Sequence, residues 1–376
     1  MQFSHDRRRV LALGAAAGTM LAMDALLPGQ ALAQAKQVSL DECLSMTPEG
    51  MARGSSRVMR SWEFLKKTVA AVKDPKARAA TLAILDNPAP TLLSRMDARV
   101  RGEVAAELVA KGYLKDAEPE TFLPPAKAAD KTPQPFIATA GSGYQSHHPY
   151  PGGLVRHTVG NLKISLGIYE TYQDVYGFTL DRDTVIVAQA LHDLHKPWVF
   201  QWQQDGSTRT EKPMAGTGEH HVLGVAESIV RGLPAPMVVA QACAHNHPGT
   251  DKDEAEVVGW ICAASILAGV DPVRAGLLDR GGKSLPLPRR MEGFVTHLGD
   301  HDFVLTMPAA QWTVAALREL AAARYGMGED DLKGARFNAL RNYAFSQASA
   351  EALYREYATK GPDGLASAVT ALVRPA

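Results

Sequence analysis

The sequence predicts an all-α fold. Apolar residues recur at three- and four-residue spacing through most of the chain, as in Val100, Val104, Leu108 and Val109, which is the period of one helix face. No run alternates apolar and polar residues long enough to argue for a sheet. Prolines and glycines divide the apolar segments into helix-sized pieces. A chain of 376 residues has room for more than one packed region.

The first 35 residues are set apart from the fold. Arg7-Arg8-Arg9 precedes an uncharged run from Val10 to Met23, followed by small residues around Ala31, Ala33 and Ala35, the layout of a cleaved export signal. Asp6-Arg7-Arg8-Arg9-Val10-Leu11 resembles the twin-arginine signal; a general secretory signal that carries three arginines is the alternative. Asp24 and Pro28 end the apolar run short of the roughly 20 residues a membrane span needs. The expectation is a periplasmic or secreted protein that meets the twin-arginine export machinery and keeps no stable membrane anchor after cleavage. Lys plus Arg and Asp plus Glu are 40 each, so no overall basic field draws in double-stranded nucleic acid. Cys43, Cys243 and Cys262 are too few and too widely spaced for a disulfide framework or a zinc ribbon.

Residues 36–135 read as an N-terminal helical region and linker. Ser55 to Val72 and Thr91 to Leu114 carry the helical pattern, and Asn87-Pro88 and Pro90 break it. From Pro119 to Pro151 proline, glycine, alanine and serine dominate, as in a connection between domains. Residues 136–290 read as the core. Asp183 can cap a helix that ends near His192-Asp193, with Pro197 stopping it soon after. Later helices run from about Glu219 to Gly232, from Pro236 to Pro248-Gly249, and from Asp253 to Gly269. Residues 291–376 form a C-terminal helical region, with patterns over Gln311–Tyr325 and Phe345–Tyr357. That tail groups no reactive side chains and reads as a helical cap.

Of the 12 histidines, those from His147 to His247 number nine, and this clustering is the main chemical signal. Gln145 to Thr158 reads Gln-Ser-His-His-Pro-Tyr-Pro-Gly-Gly-Leu-Val-Arg-His-Thr, and Ala190 to Lys196 reads Ala-Leu-His-Asp-Leu-His-Lys. Over roughly residues 145 to 271 these motifs resemble the HD (His-Asp) metal-dependent phosphohydrolase superfamily. The likeness is strongest to the branch with a His-His-x-Tyr-Pro-Gly-Gly-Leu-x-x-His-Thr entry, which includes 3′-to-5′ exoribonucleases. The resemblance implies an HD-like helical core, with His157, His192 and Asp193 as metal ligands, Asp193 bridging two metals. It implies His220, and His245 or His247, as further ligands. Neutral imidazoles and a two-oxygen carboxylate suit one or two divalent transition metal ions, Mn, Fe, Ni or Zn.

Two residues apart, His245 and His247 reach one metal together only if their helix has ended; otherwise one of them meets substrate or a carboxylate. Lys196 and Arg156 are the cations available for a phosphate, or else surface charges. His148 and His195 are candidate substrate contacts, and His221 lines the pocket or faces water. The family's closing aspartate falls at Ser265, a poor ligand. Asp271 then either replaces it or is an exposed aspartate before Pro272. The function implied is hydrolysis of a small phosphorylated substrate, a phosphomonoester or phosphodiester, by metal-activated water. A di-iron oxygenase of the same scaffold and a non-catalytic metal-binding or sensing module are the alternatives.

Overall fold

The computed structural model describes residues 35–143, 146–287 and 291–375. The export signal expected over residues 1–35 lies, apart from Ala35, outside them, as does Gln145 of the entry motif. The described chain is mostly helical, with two two-stranded pairings as its only sheets. No described helix is long and apolar enough to cross a membrane.

The helices pack into a larger and a smaller core. The larger is built by α3 (Ser56–Ala70), α4 (Pro75–Asp86), α5 (Ala98–Ala110), α6 (Gly153–Tyr176), α7 (Arg182–Leu191), α9 (Glu219–Val230), α10 (Ala235–Ala242) and α11 (Asp251–Ala268). The one-turn α8 (Lys196–Val199) lies between α7 and α9. The smaller core joins β1 (Val38–Ser39), α1 (Leu40–Ser45) and α2 (Pro48–Arg53) to the far end of the chain. Its partners there are α13 (Phe303–Tyr325), α15 (Ala335–Ala348) and α16 (Ala350–Leu372), with α14 (Glu329–Lys333) between α13 and α15. β1 pairs in parallel with β4 (Val373–Arg374). The two cores meet where Ser55 Oγ donates to Ser346 O (2.7 Å). Of residues 36–135, β1, α1 and α2 pack in the smaller core and α3 to α5 in the larger.

Local chemistry accounts for most helix ends. Thr250 caps α11 by accepting from Asp253 N, and Gly269 ends it in the left-handed conformation. The cap of α7 is Asp181 rather than Asp183. Asp183 instead accepts from Lys73 N and Asp74 N across to α4, a tertiary use that its sequence position does not reveal. The expected Phe345–Tyr357 helix is interrupted at Ser349 (φ 73°), which closes α15 and caps α16. Residues 119–151 are less of a connection than their composition suggests, since Phe122, Leu123, Phe136 and Ile137 are buried in the larger core. The three cysteines are free thiols.

Candidate metal centre

Four places in the chain converge on one buried cluster. His157 sits in the first turns of α6, whose start is fixed by Gly152-Gly153. Gly152 has φ 88°, and a Cβ on Gly153 would lie 2.0 Å from His148 O, so no other residue allows the His148 strand of the loop to cross the helix start. His192 ends α7 and Asp193 follows in the turn before α8. His220 lies in the first turn of α9, after a hairpin of β2 (Pro213–Met214) and β3 (Thr217–Gly218) that turns through Ala215 and Gly216, both at positive φ. His245 follows the end of α10. The fifth contribution comes from α12 (Glu292–Gly299): Asp300 is its C-cap.

Asp193 is the hub. Its Oδ2 is 3.1 Å from both His157 Nε2 and His192 Nε2, while its Oδ1 is 3.1 Å from His220 Nε2 and 3.6 Å from His245 Nε2. Asp300 straddles the cluster in the same way, Oδ1 lying 3.2 Å from His157 Nε2 and 3.3 Å from His192 Nε2, and Oδ2 3.4 Å from His245 Nε2. Asp193 Oδ2 is met by the Lys196 ammonium (2.6 Å), yet Asp193 Oδ1 and His220 Nε2 make no hydrogen bond, although both are buried. Buried polar atoms left so are costly. Atoms of this type, gathered at these separations, fit a divalent cation. Donor atoms in the groups His157/His192/Asp300, His192/Asp193/His245 and His220/His221/His245 lie within 4.8 Å of one another, so these buried His/Asp clusters could hold metal.

An outer layer fixes the imidazoles. His157 Nδ1 is 3.0 Å from Asp302 Oδ1, His192 Nδ1 2.8 Å from Gln189 O, and His220 Nδ1 pairs with Glu211 Oε1. With Nδ1–H donating outward, each Nε2 presents its lone pair to the cluster, the arrangement that orients metal-binding histidines. Asn161 Nδ2 donates to Asp300 Oδ1 (2.6 Å).

Burial opposes the charge on Asp193, but His192 and Lys196 beside it hold its carboxyl well below the usual range. Asp300 is likewise held low by His192 and His157 against its burial. Burial pulls His192 down, and Asp193 and Asp300 more than reverse this, raising it to about 9. Burial prevails at His245, pushed down to about 4.

Several expected residues stand elsewhere. His247 is beyond the end of α10, as the two-histidine option requires, but lies 3.6 Å from Asp253 Oδ2 and stacks on Phe294. Asp271 is outside the cluster, its Oδ1 accepting from Val273 N and Arg274 N. Ser265 is buried in α11, and Asp300 supplies the carboxylate expected at its place. His195 is buried against Trp198, 3.6 Å from Glu227. Arg156 donates to Ser61 Oγ. Lys196 is buried with its Nζ 2.6 Å from Asp193 Oδ2 and donating to Gly141 O. His148 is occupied by Tyr150 Oη (3.1 Å) and Asp302 Oδ2 (2.8 Å), whereas its neighbour His147 has its ring 4.6 Å from that of His157.

The tail expected to group no reactive side chains therefore contributes Asp300 and Asp302. The signal for them is present in the sequence as His297-Leu-Gly-Asp300-His301-Asp302. His147 stands in the entry motif but is not set apart there from His148, and Glu211 carries no comparable mark.

No family model matches the chain, and no solved structure matches it. Over 121 residues it is 34% identical to the dihydroneopterin 2′,3′-cyclic phosphate phosphodiesterase of Methanocaldococcus jannaschii, a match covering 32% of this chain and 48% of that protein. The chain thus spans about half the length of the curated relative it matches.

Proposed function

We propose that this chain is a metal-dependent phosphodiesterase of the HD type, acting on a small phosphodiester. The observation that carries the reading is Asp193: a buried carboxylate whose two oxygens face two different sets of histidines. The phosphodiesterase activity named for the relative supports the reaction class. The carboxylate of Asp300 removes the reason for a disabled site at Ser265.

His157, His192, Asp193 and Asp300 would hold one ion, and Asp193, His220 and His245 a second. When bound, such ions supply an acidified water and positive charge against the phosphoryl oxygens. The protein's own part is positioning. Asp302, Gln189 and Glu211 hold the imidazoles, and Lys196 balances charge at Asp193 from below. Phe200, whose ring packs 5.6 Å from that of His220, and Leu194 are both buried beside the cluster and help keep bulk water out.

The test is metal quantification on the purified protein together with hydrolysis of a 2′,3′-cyclic nucleotide. Wild type is expected to retain divalent metal and open the cyclic ester; Asp193→Asn is expected to lose both. Retained metal with no turnover of any phosphodiester or phosphomonoester would overturn the reading. Residues 1–35 further support export of the folded, metal-loaded chain; Arg7→Lys with Arg8→Lys is expected to leave the protein in the cytoplasm.

A further inference from the structure

Between them, Lys196 and Arg156 are the cations next to the two motifs; Lys196 bonds Asp193 and Gly141 O, and Arg156 reaches Ser61 through Nη1 while its Nε stays without a partner. A phosphoester entering the cluster beside His157 also gains from a neutral donor. His148 cannot provide it without giving up Asp302 or Tyr150.

His147 can. Its Nδ1 is 3.2 Å from Ser146 Oγ, while its Nε2 is buried with no hydrogen-bond partner among the described residues. The ring lies 4.6 Å from that of His157 and 6.2 Å from that of Phe303. An imidazole left this way beside a cluster of donor atoms loses a hydrogen bond's worth of stability unless a ligand completes it. Ser146 Oγ–H donating to Nδ1 leaves the ring hydrogen on Nε2.

The backbone explains how the pair of histidines is divided. Among the described residues, His148 is one of three non-glycine residues at positive φ (47°), the others being Ala215 and Ser349. Its carbonyl accepts from Gly141 N (2.8 Å) and its imidazole is clamped by Asp302 and Tyr150. That left-handed turn is sparsely populated for a side-chain-bearing residue and persists where the surroundings hold it. It directs His148 toward Asp302 and leaves His147 beside His157.

We propose that His147 Nε2 is the hydrogen-bond donor that binds a phosphoryl oxygen of the substrate, and that His148 is a positioning residue acting through Asp302 on His157. This rests on the phosphodiesterase reading for the identity of the ligand, but its test does not depend on turnover. Inorganic phosphate is titrated calorimetrically into the metal-loaded protein, with metal content measured on every variant. His147→Ala is expected to weaken phosphate binding about ten- to a hundredfold, the loss of one hydrogen bond to a charged group, with metal content unchanged. His147→Gln, whose amide nitrogen reaches the same place, is expected to recover most of it. His148→Ala is expected to lose metal before it loses phosphate affinity.

Equal phosphate affinity in wild type and His147→Ala overturns the proposal. So does loss of metal on replacing His147, which would make it a ligand, and so does a wild type that takes up metal but no phosphate. If phosphate binds as expected while no phosphoester is hydrolysed, the proposed function fails and the role of His147 stands.

Discussion

Asp302 orders two histidines beside the cluster, accepting at Oδ1 from His157 and at Oδ2 from His148. Asp302→Ala frees the His157 ring to adopt the other tautomer and orientation. Metal affinity is expected to fall about 10–100-fold, read by titration of the metal-free protein. His247→Ala and Asp271→Asn are expected to leave metal content unchanged, because neither side chain reaches the cluster.

The same residues set a pH dependence. With His192 raised to about 9 and His157 also raised in the metal-free protein, these imidazoles carry protons that must leave when metal binds. Metal affinity should therefore strengthen as pH rises toward 9 and weaken below it. The sign reverses for the metal-free fold: a raised histidine pKa contributes stability fully below the unfolded value near 6.5 and loses it as pH passes about 9. Calorimetry in buffers of different ionisation enthalpy is expected to register proton release, and none would contradict the assignment.

Glu227 shows how a single side chain ties elements together. From α9 it accepts from Thr91 N (3.1 Å), Leu92 N (3.0 Å) and Arg231 Nε (2.7 Å), which fastens the short 3₁₀ turn Thr91–Arg95 to the larger core. Burial works against its charge, but the nearby His195 and the bonds from Thr91 and Arg231 prevail and lower it to about 2 from 4.5. A depressed carboxylate contributes above its unfolded pKa and loses that contribution as pH falls through the folded value. The contribution near neutrality is about 3 kcal/mol. Glu227→Gln is expected to lower the melting temperature at pH 7 and to narrow its distance from wild type near pH 2, measured by calorimetry across that range.

At the scale of the whole molecule, the candidate metal centre draws side chains from α6, the turns after α7 and α10, α9, and the end of α12. Binding there acts on the entire larger core, since an ion held by the native arrangement alone stabilises by mass action, about 2.7 kcal/mol at a hundred times its dissociation constant. Chelation is expected to lower the melting temperature by about 5 °C or more. Asp193→Ala is expected to show the lower value with or without chelator.

What the sequence determined is what short-range chemistry encodes. The all-α class follows from apolar spacing, the ends of α11 from Thr250 and Gly269, and the candidacy of His157, His192, Asp193, His220 and His245 from dense histidines beside an aspartate. What the tertiary structure decided lies where distant segments meet. Asp300 and Asp302 reach the cluster because α12 packs on α6, α7 and α10; the His297–Asp302 run marks them as reactive, but nothing local tells which segment they meet across some 140 residues. The choice of His245 over His247, and the division of labour between His147 and His148, depend on backbone direction at a helix end and at one positive-φ residue. Adjacent residues of one type are equivalent in sequence; only a folded backbone gives them different neighbours.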